Sequence, residues 1–304
     1  MFGFTTVELK NREGKYFYYN SRKIKRKLKE VEELIDSDFL EKYSEPQREI
    51  SEGVIGEYNE QARENQRRAY QFVLTRPELT EDNLHTLYEI LSENQLDENS
   101  ELEEKRSYRK GGVYVINSFH PFLLAADMDK RIDPSLVPEY MRDLFKFLNR
   151  KDIDPFIKSQ IAHLNFVFVH PFYDVNGRTA RTLSLWILIN DSKEPYTIIH
   201  RGIIFNKEDY LKSVGKSHKR DITPYLIFSL DTLKKELQIQ KKVFLFRKEK
   251  SLTAEECETL ELLFRMQNTT LDDLIDMFDY QRGLNDREII INRLLRLLEK
   301  NVIS

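Results

Sequence analysis

The chain predicts a mainly α-helical protein, a helical bundle with a short β-hairpin flap followed by a small winged-helix-like domain. Three observations predict it. Glycine and proline are scarce, at 10 and 9 among 304 residues, so few positions break a helix. Long stretches repeat apolar residues at spacings of three and four, the period of a helix with one buried face. β-Branched and aromatic residues gather beside glycine in two short stretches, near the N-terminus and between Arg106 and Asn117, as strands require.

The hairpin comes first. "TTVELKNREGKYFYYN" turns near Glu13-Gly14, and "SRKIKRKLKEVEELID" then reads as a charged helix whose Lys and Glu residues four apart pair on a solvated face. Residues 59–79 look helical and end at Arg76-Pro77, because the residue before proline disfavours helix. Thr80 and Asp82 cap a further helix, "LHTLYEILSENQ". "RSYRKGGVYVIN" at 106–117 reads as a strand or hairpin, a candidate flap in a helical chain. Helices resume in "LVPEYMRDLFKFLN" and "DPFIKSQIAHLNFVFVH", the second with Ile157, Ile161, Leu164 and Phe168 on one buried face. "RTARTLSLWILIN" is helical again. From about Ser251 three short amphipathic segments resemble a winged-helix or helix-turn-helix module.

Composition excludes several function classes. A charged fraction of 33% with 40% hydrophobic residues suits a polar, helix-rich globular chain. A formal net charge of −3 sets up no basic field for nucleic acid or anionic lipid. Cys257 is the single cysteine, which rules out an internal disulfide and fits a reducing compartment. The start "MFGFTTVELKNREGKYF" lacks the layout of a signal peptide, and "LSLWILI" is too short to span a bilayer. A cytoplasmic protein without membrane contact is the expectation.

Chemistry concentrates in "HPFYDVNGRTAR", residues 170–181, between two core helices. Asn176-Gly177-Arg178 opens a helix, whose first N–H groups favour a phosphate. Gly177 permits a backbone turn that brings those donors close. Arg178 and Arg181, three apart, can reach one side and grip further phosphates. Asp174 is a hard oxygen ligand suited to Mg²⁺ bridging phosphate oxygens. His170 titrates near neutrality and can take a proton from an attacking hydroxyl. Together these parts describe nucleotidyl or phosphoryl transfer from a nucleoside triphosphate to an alcohol. A zinc set built on His163, His170 and Asp174 has no further histidine or cysteine to complete it.

The stretch resembles the signature of the Fic family of protein adenylyltransferases, H-P-F-x-D/E-G-N-G-R-x-x-R, departing only at its first glycine, here Val175. "IKSQIAHLNFVFVHPF" is similar to the family's helix leading into the loop, "DITPYLIF" to its closing helix, and "SYRKGGVYVIN" lies where the family has its substrate-docking flap. The resemblance covers roughly residues 45–235. It implies a Fic-type bundle, with a hairpin and helix extension at 1–50, a catalytic core at 51–235, a helical linker at 236–250 and the winged-helix-like module at 251–304. His170 would deprotonate a Tyr, Thr or Ser hydroxyl of a target protein, the chain itself among the candidates. Asp174 would hold Mg²⁺ against ATP. Val175, Asn176 and Gly177 would line the phosphates, and Arg178 and Arg181 would hold the end that leaves as pyrophosphate. Tyr210 would contact the nucleotide. Val115, Ile116, Asn117 and Ser118 on the flap would align the target by main-chain pairing.

Many family members carry an inhibitory S/T-x-x-x-E-G/N helix. "REISEGVIGEYN" supplies Glu52-Gly53 but places Arg48 where Ser or Thr is expected; Glu52 would pair with Arg181 and displace the ATP γ-phosphate. Val175 at a glycine position either takes ordinary backbone or distorts the loop, since a β-branched residue at positive φ costs about 1–3 kcal/mol. Retention of Gly177 points to AMP transfer, because the phosphate-transferring branch of the family carries lysine there. The competing reading is a nucleotide-sensing regulator that binds DNA or protein through its C-terminal module. Residues 251–304 hold six Lys/Arg against eleven Asp/Glu, which disfavours DNA. Homo-oligomerisation stays open.

Overall fold

A computed structural model describes residues 3–11, 13–35, 60–95, 106–113, 132–217, 219–266, 270–282 and 287–303. The N-terminal hairpin pairs β1 (Phe4–Lys10) with β2 (Tyr16–Asn20), with Phe4 opposite Asn20 and Thr6 opposite Tyr18, and an irregularity between Thr6 and Lys10. Its turn forms where expected. Asn11 Oδ1 accepts from the N–H groups of Glu13 and Lys15, and Gly14 takes a φ of 71°, a left-handed value that favours glycine. Asn20 then caps helix α1 (Ser21–Glu32) by accepting from Lys23 N at 2.9 Å.

Two helices follow, α2 (Glu60–Leu74) and α3 (Glu81–Ser92). Thr80 caps α3 by accepting from Asn83 N; Asp82 lies inside the first turn, where a carboxylate still suits the helix dipole. Residues 106–113 form turns and bends with no strand, so this half of the expected flap strand is absent. Its local β-branched content is low before Val113, and tertiary anchors set its course instead. The rest of that segment lies outside the described residues.

The centre of the molecule is the pair α5 (Pro155–Val169) and α6 (Asn176–Asn190), packed along one another, with α4 (Val137–Leu148) against α5 and α2 against α6. The expectation for α5 was one apolar face. It is instead buried on all sides, polar residues included: Lys158, Ser159, Gln160, His163 and Asn165 are each at most 3% exposed. Each of the first four finds a partner within the core. Lys158 pairs with Asp191 at 2.9 Å, Ser159 donates to Phe156 O, Gln160 donates to Ser184 Oγ, and His163 meets Tyr210. Buried polar groups are tolerated when so satisfied.

Short helix α7 (Ile199–Phe205) and α8 (Lys207–Ser217) lead to α9 (Thr223–Lys250), which runs unbroken through the expected boundary at residue 235. Gly202 lets α7 cross α9 closely, since a Cβ there would lie 2.3 Å from Thr232 Cγ2. The hairpin docks on the start of α9 through Tyr18 N to Arg220 O and Ile222 N to Tyr18 O, both 3.0 Å. Helices α10 (Ala254–Arg265), α11 (Leu271–Arg282) and α12 (Arg287–Glu299) complete the chain. The described residues of this C-terminal module include no strand, so the wing of a winged helix is not among them. Among the described residues, no helix is long and apolar enough to cross a membrane.

Candidate active site

The loop between α5 and α6 is built by three local devices. First, α5 stops at His170, which takes left-handed backbone, φ 51° and ψ 60°, while its N–H still donates to Phe166 O at 2.9 Å. Histidine is among the non-glycine residues that visit this region most readily, and Pro171 cannot extend the helix. Second, Phe172 is buried and stacks on Tyr88 of α3 with ring centroids 3.7 Å apart, pinning the loop to the core. Third, the Asn176 amide is spent on the loop itself. It accepts from Phe172 N at 3.0 Å and donates to Phe172 O at 2.7 Å and Asp174 O at 3.3 Å. The Asn176 side chain thus shapes the loop, and what the residue can offer an anion is its backbone N–H.

Val175, not Gly177, makes the turn into α6. Val175 has φ 59° and ψ 7°, whereas Gly177 has no positive φ and lies within the helix. The valine occupies the conformation that glycine would take most easily, with its side chain buried in the core cluster. Its N–H is also engaged, donating to Asp174 Oδ1 at 2.6 Å. Burial of the isopropyl group, worth about 1.5–3 kcal/mol, offsets the cost of the backbone. Val175→Gly should consequently unfold at a denaturant midpoint close to wild type. Val175→Ala, which loses the burial yet keeps the strained backbone, should be about 1 kcal/mol less stable than the glycine variant. An alanine variant equal to or more stable than the glycine one in urea titration would contradict this reading.

The N-terminus of α6 has no side-chain cap, leaving its first donors for water or a ligand. Asp174 beside it is exposed. Arg178 is 9% exposed and its charge reaches Tyr88 of α3, as does that of Asp174. Arg181 reaches back to the first turn of α6. A Cβ at Gly177 would lie 3.6 Å from its NH1, and its charge acts on His163, His200 and Tyr210. Among the described residues, no group of three or more His, Cys, Asp or Glu is arranged to hold a metal. A lone carboxylate fits Mg²⁺, which takes one or two protein carboxylates and draws its other ligands from phosphates and water.

Tyr210 of α8 hydrogen-bonds His163 Nε2 at 2.9 Å, and Tyr225 lies beside it, its ring stacked against His163. Burial, then the Arg181 guanidinium, pushes His163 down to about 3, and burial pushes Tyr210 up to about 12. Burial, His163 and Arg181 together hold His200 well below its usual value; both its ring nitrogens are buried without a hydrogen bond among the described residues. The folded chain therefore keeps His163 neutral where the unfolded chain, at its ordinary 6.5, takes up a proton. Stability is lost as pH falls from 6.5 toward 3. Going from about pH 7 to about pH 5 should remove about 2 kcal/mol through His163 alone. Urea titrations of wild type and His163→Gln at both pH values check it; the variant should lose correspondingly less on acidification.

Glu52 and the flap residues Val115, Ile116, Asn117 and Ser118 lie outside the described residues. Two residues that the sequence reading did not single out support the loop, one packed against it and one within it. Arg109, 2% exposed, donates from Nε to His170 O at 2.7 Å, and the Tyr173 hydroxyl accepts from Lys110 N and Gly111 N. Tyr173 occupies the variable position of the signature, and nothing in the spacing marked either residue.

Comparison with known proteins converges on one family. Residues 132–188 match the model of the Fic/DOC family, a span that takes in helices α4 and α5, the loop and most of α6. Over 98 residues the chain is 32% identical to "Protein adenylyltransferase fic-1" of Caenorhabditis elegans, covering 31% of this chain and 18% of that protein. Over 125 residues it is 31% identical to "Protein adenylyltransferase Fic" of Nematostella vectensis, covering 41% of this chain and 26% of that one. The match thus spans about a fifth to a quarter of these relatives. In fold, the chain is similar to a crystal structure of a Fic family protein from Desulfovibrio desulfuricans G20, with a TM-score of 0.57 at 20% identity, over 91% of this chain and 89% of that one.

Proposed function

We propose that this chain, which carries a Fic/DOC-family domain at residues 132–188, transfers AMP from ATP to a hydroxyl side chain of a protein. The observation that carries the reading is the coincidence of an uncapped helix end at α6 with His170, Asp174, Arg178 and Arg181 around it. Relatives named as protein adenylyltransferases over this same region support it.

In this reading, the triphosphate lies against the first turn of α6, where N–H groups and the helix dipole favour negative charge. Arg178 and Arg181 neutralise its two flanks, and Tyr210 borders the nucleotide from the Arg181 side. Mg²⁺, held by Asp174 and the phosphates, would offset charge that builds between the α- and β-phosphates. His170 takes the proton from a Tyr, Thr or Ser hydroxyl as its oxygen bonds to the α-phosphorus. The bond from that phosphorus to the bridging oxygen breaks, and pyrophosphate leaves with the electron pair. Val115–Ser118 pair with the backbone of the target segment and bring its hydroxyl to His170. Glu52 opposes ATP by pairing with Arg181.

Incubating the chain and a cell lysate with ATP labelled at the α- or the γ-phosphorus tests the reaction. Label that depends on the added chain, and is lost with a His170→Ala chain, should enter protein from the α position only. Chain-dependent label from the γ position, lost with the same alanine variant, would mean phosphate transfer and would overturn the assignment.

A further inference from the structure

We propose that the cavity between the N-terminal hairpin, α1 and the start of α5 is a binding site for a small amphipathic monoanion, a carboxylate on an unbranched alkyl body. The cavity shares no lining residue with the loop at 170–181, so the inference stands independently of the transferase reading.

The cavity measures about 390 Å³, within the size range of ligand sites, and has room for about a dozen non-hydrogen atoms at about 30 Å³ each. Its inner wall is aliphatic. Val7 of β1, Ile24 and Leu28 of α1, Ile153 just before α5, and Ile157 and Ile161 within α5 line it. Tyr19 of β2 is the one aromatic residue in the wall, and its hydroxyl is hydrogen-bonded to Thr5. With no second ring to stack against, the wall suits a flexible alkyl chain better than a flat ring system.

The rim decides the head group. Arg150 and Asp152 satisfy one another, with Nε donating to Oδ1 at 2.9 Å. Asp154 Oδ1 is spent on the first turn of α5, accepting from Phe156 N at 2.9 Å and Ile157 N at 3.1 Å. Lys25 of α1 is exposed and has no ion pair among the described residues, so the uncommitted charge on the rim is a cation. Two helix ends add to it. Ser21 opens α1 and Asp154 caps α5, and both line the cavity; the amino end of a helix carries partial positive charge. A carboxylate is drawn to this rim and an ammonium is repelled by it, while the alkyl chain leaves water for the isoleucine wall.

Octanoate is the probe. With about ten non-hydrogen atoms, it should bind the full chain with a dissociation constant on the order of 10⁻⁴ M, read by isothermal titration calorimetry. Octanol and octylamine, of equal chain length, should each bind about threefold more weakly or worse, the size of one exposed charge contact. Lys25→Gln should remove the advantage of octanoate over octanol and leave octanol binding unchanged. Ile153→Trp and Leu28→Trp fill the cavity from two different walls, at positions that are only partly buried. Each should weaken octanoate by about tenfold or more, the loss expected when two methylenes no longer find cover. Urea midpoints show which tryptophan variant folds, and either one suffices. In the wild type, octanoate should also slow amide exchange in peptides covering 4–10 and 21–28, because ligand binding stabilises the folded walls. No saturable binding at millimolar octanoate, unchanged affinity in a folded tryptophan variant, or octylamine binding more tightly than octanoate would each overturn the proposal.

Discussion

Replacing His170 by alanine should lower α-phosphate transfer to protein by about 10²–10⁴-fold, the contribution of a positioned general base, while leaving the fold intact. The two parts of that expectation have separate sources. The imidazole is half-buried at the end of α5 rather than in the core, so its removal opens no large cavity. The backbone at 170 is held by Phe166 O, by Arg109 Nε and by the Pro171 carbonyl bonded to Arg109 N, none of which needs the side chain. Left-handed backbone does penalise alanine, which could confuse the result. His170→Asn removes that ambiguity, because asparagine accepts this conformation readily. Both variants should lose activity alike, with thermal midpoints within a few degrees of wild type. Residual labelling near the wild-type rate in either one would take proton abstraction away from His170.

Arg265→Met should be the most destabilising single change outside the site. The Arg265 side chain is 2% exposed and holds Glu236 at 2.6 Å and Glu261 at 3.1 Å, side chains 1% and 3% exposed. Glu261 is also paired with Arg201 of α7. Burial works against the charged form of Glu261, yet Arg201 and Arg265 hold its carboxyl below the usual range. Methionine at 265 would leave Glu236 without its ion pair in the core, and breaking a buried pair from one side costs about 3–5 kcal/mol. Chemical denaturation should report a loss of that order. Glu236→Met combined with Arg265→Met should cost less than the sum of the two single changes, since it leaves neither charge stranded. Additive losses would show that the pair is not coupled.

Legibility of the fold followed the range of the interactions. The hairpin turn at Glu13-Gly14, the Thr80 cap and the stop before Pro77 rest on neighbours in sequence, and all three are present. The inward face of α5 was visible as Ile157, Ile161, Leu164 and Phe168. The burial of Lys158 and Gln160 was not, because Asp191 and Ser184 belong to distant positions whose proximity no spacing encodes. At the site, the signature marked His170 and the α6 helix start correctly as one loop, while the turn fell on Val175 instead of Gly177. Burial of the valine side chain offsets the backbone cost, a tertiary effect that local preference omits. Arg109 and Tyr173 were invisible for a different reason. Their partners are backbone carbonyls and amides, which every residue carries alike.

The unbroken course of α9 from Thr223 to Lys250 has a practical consequence for anyone dividing this protein. Near its start, the Thr223 hydroxyl accepts from Asn20 N of the hairpin at 2.8 Å, and midway along, Glu236 is clasped by Arg265. A fragment cut at residue 235 would sever this spine one residue short of that clasp, leave buried Arg201 without Glu261 and uncover the Phe205 ring. Expression boundaries that preserve this core should therefore extend past Arg265, and shorter fragments should aggregate or be degraded in the cell.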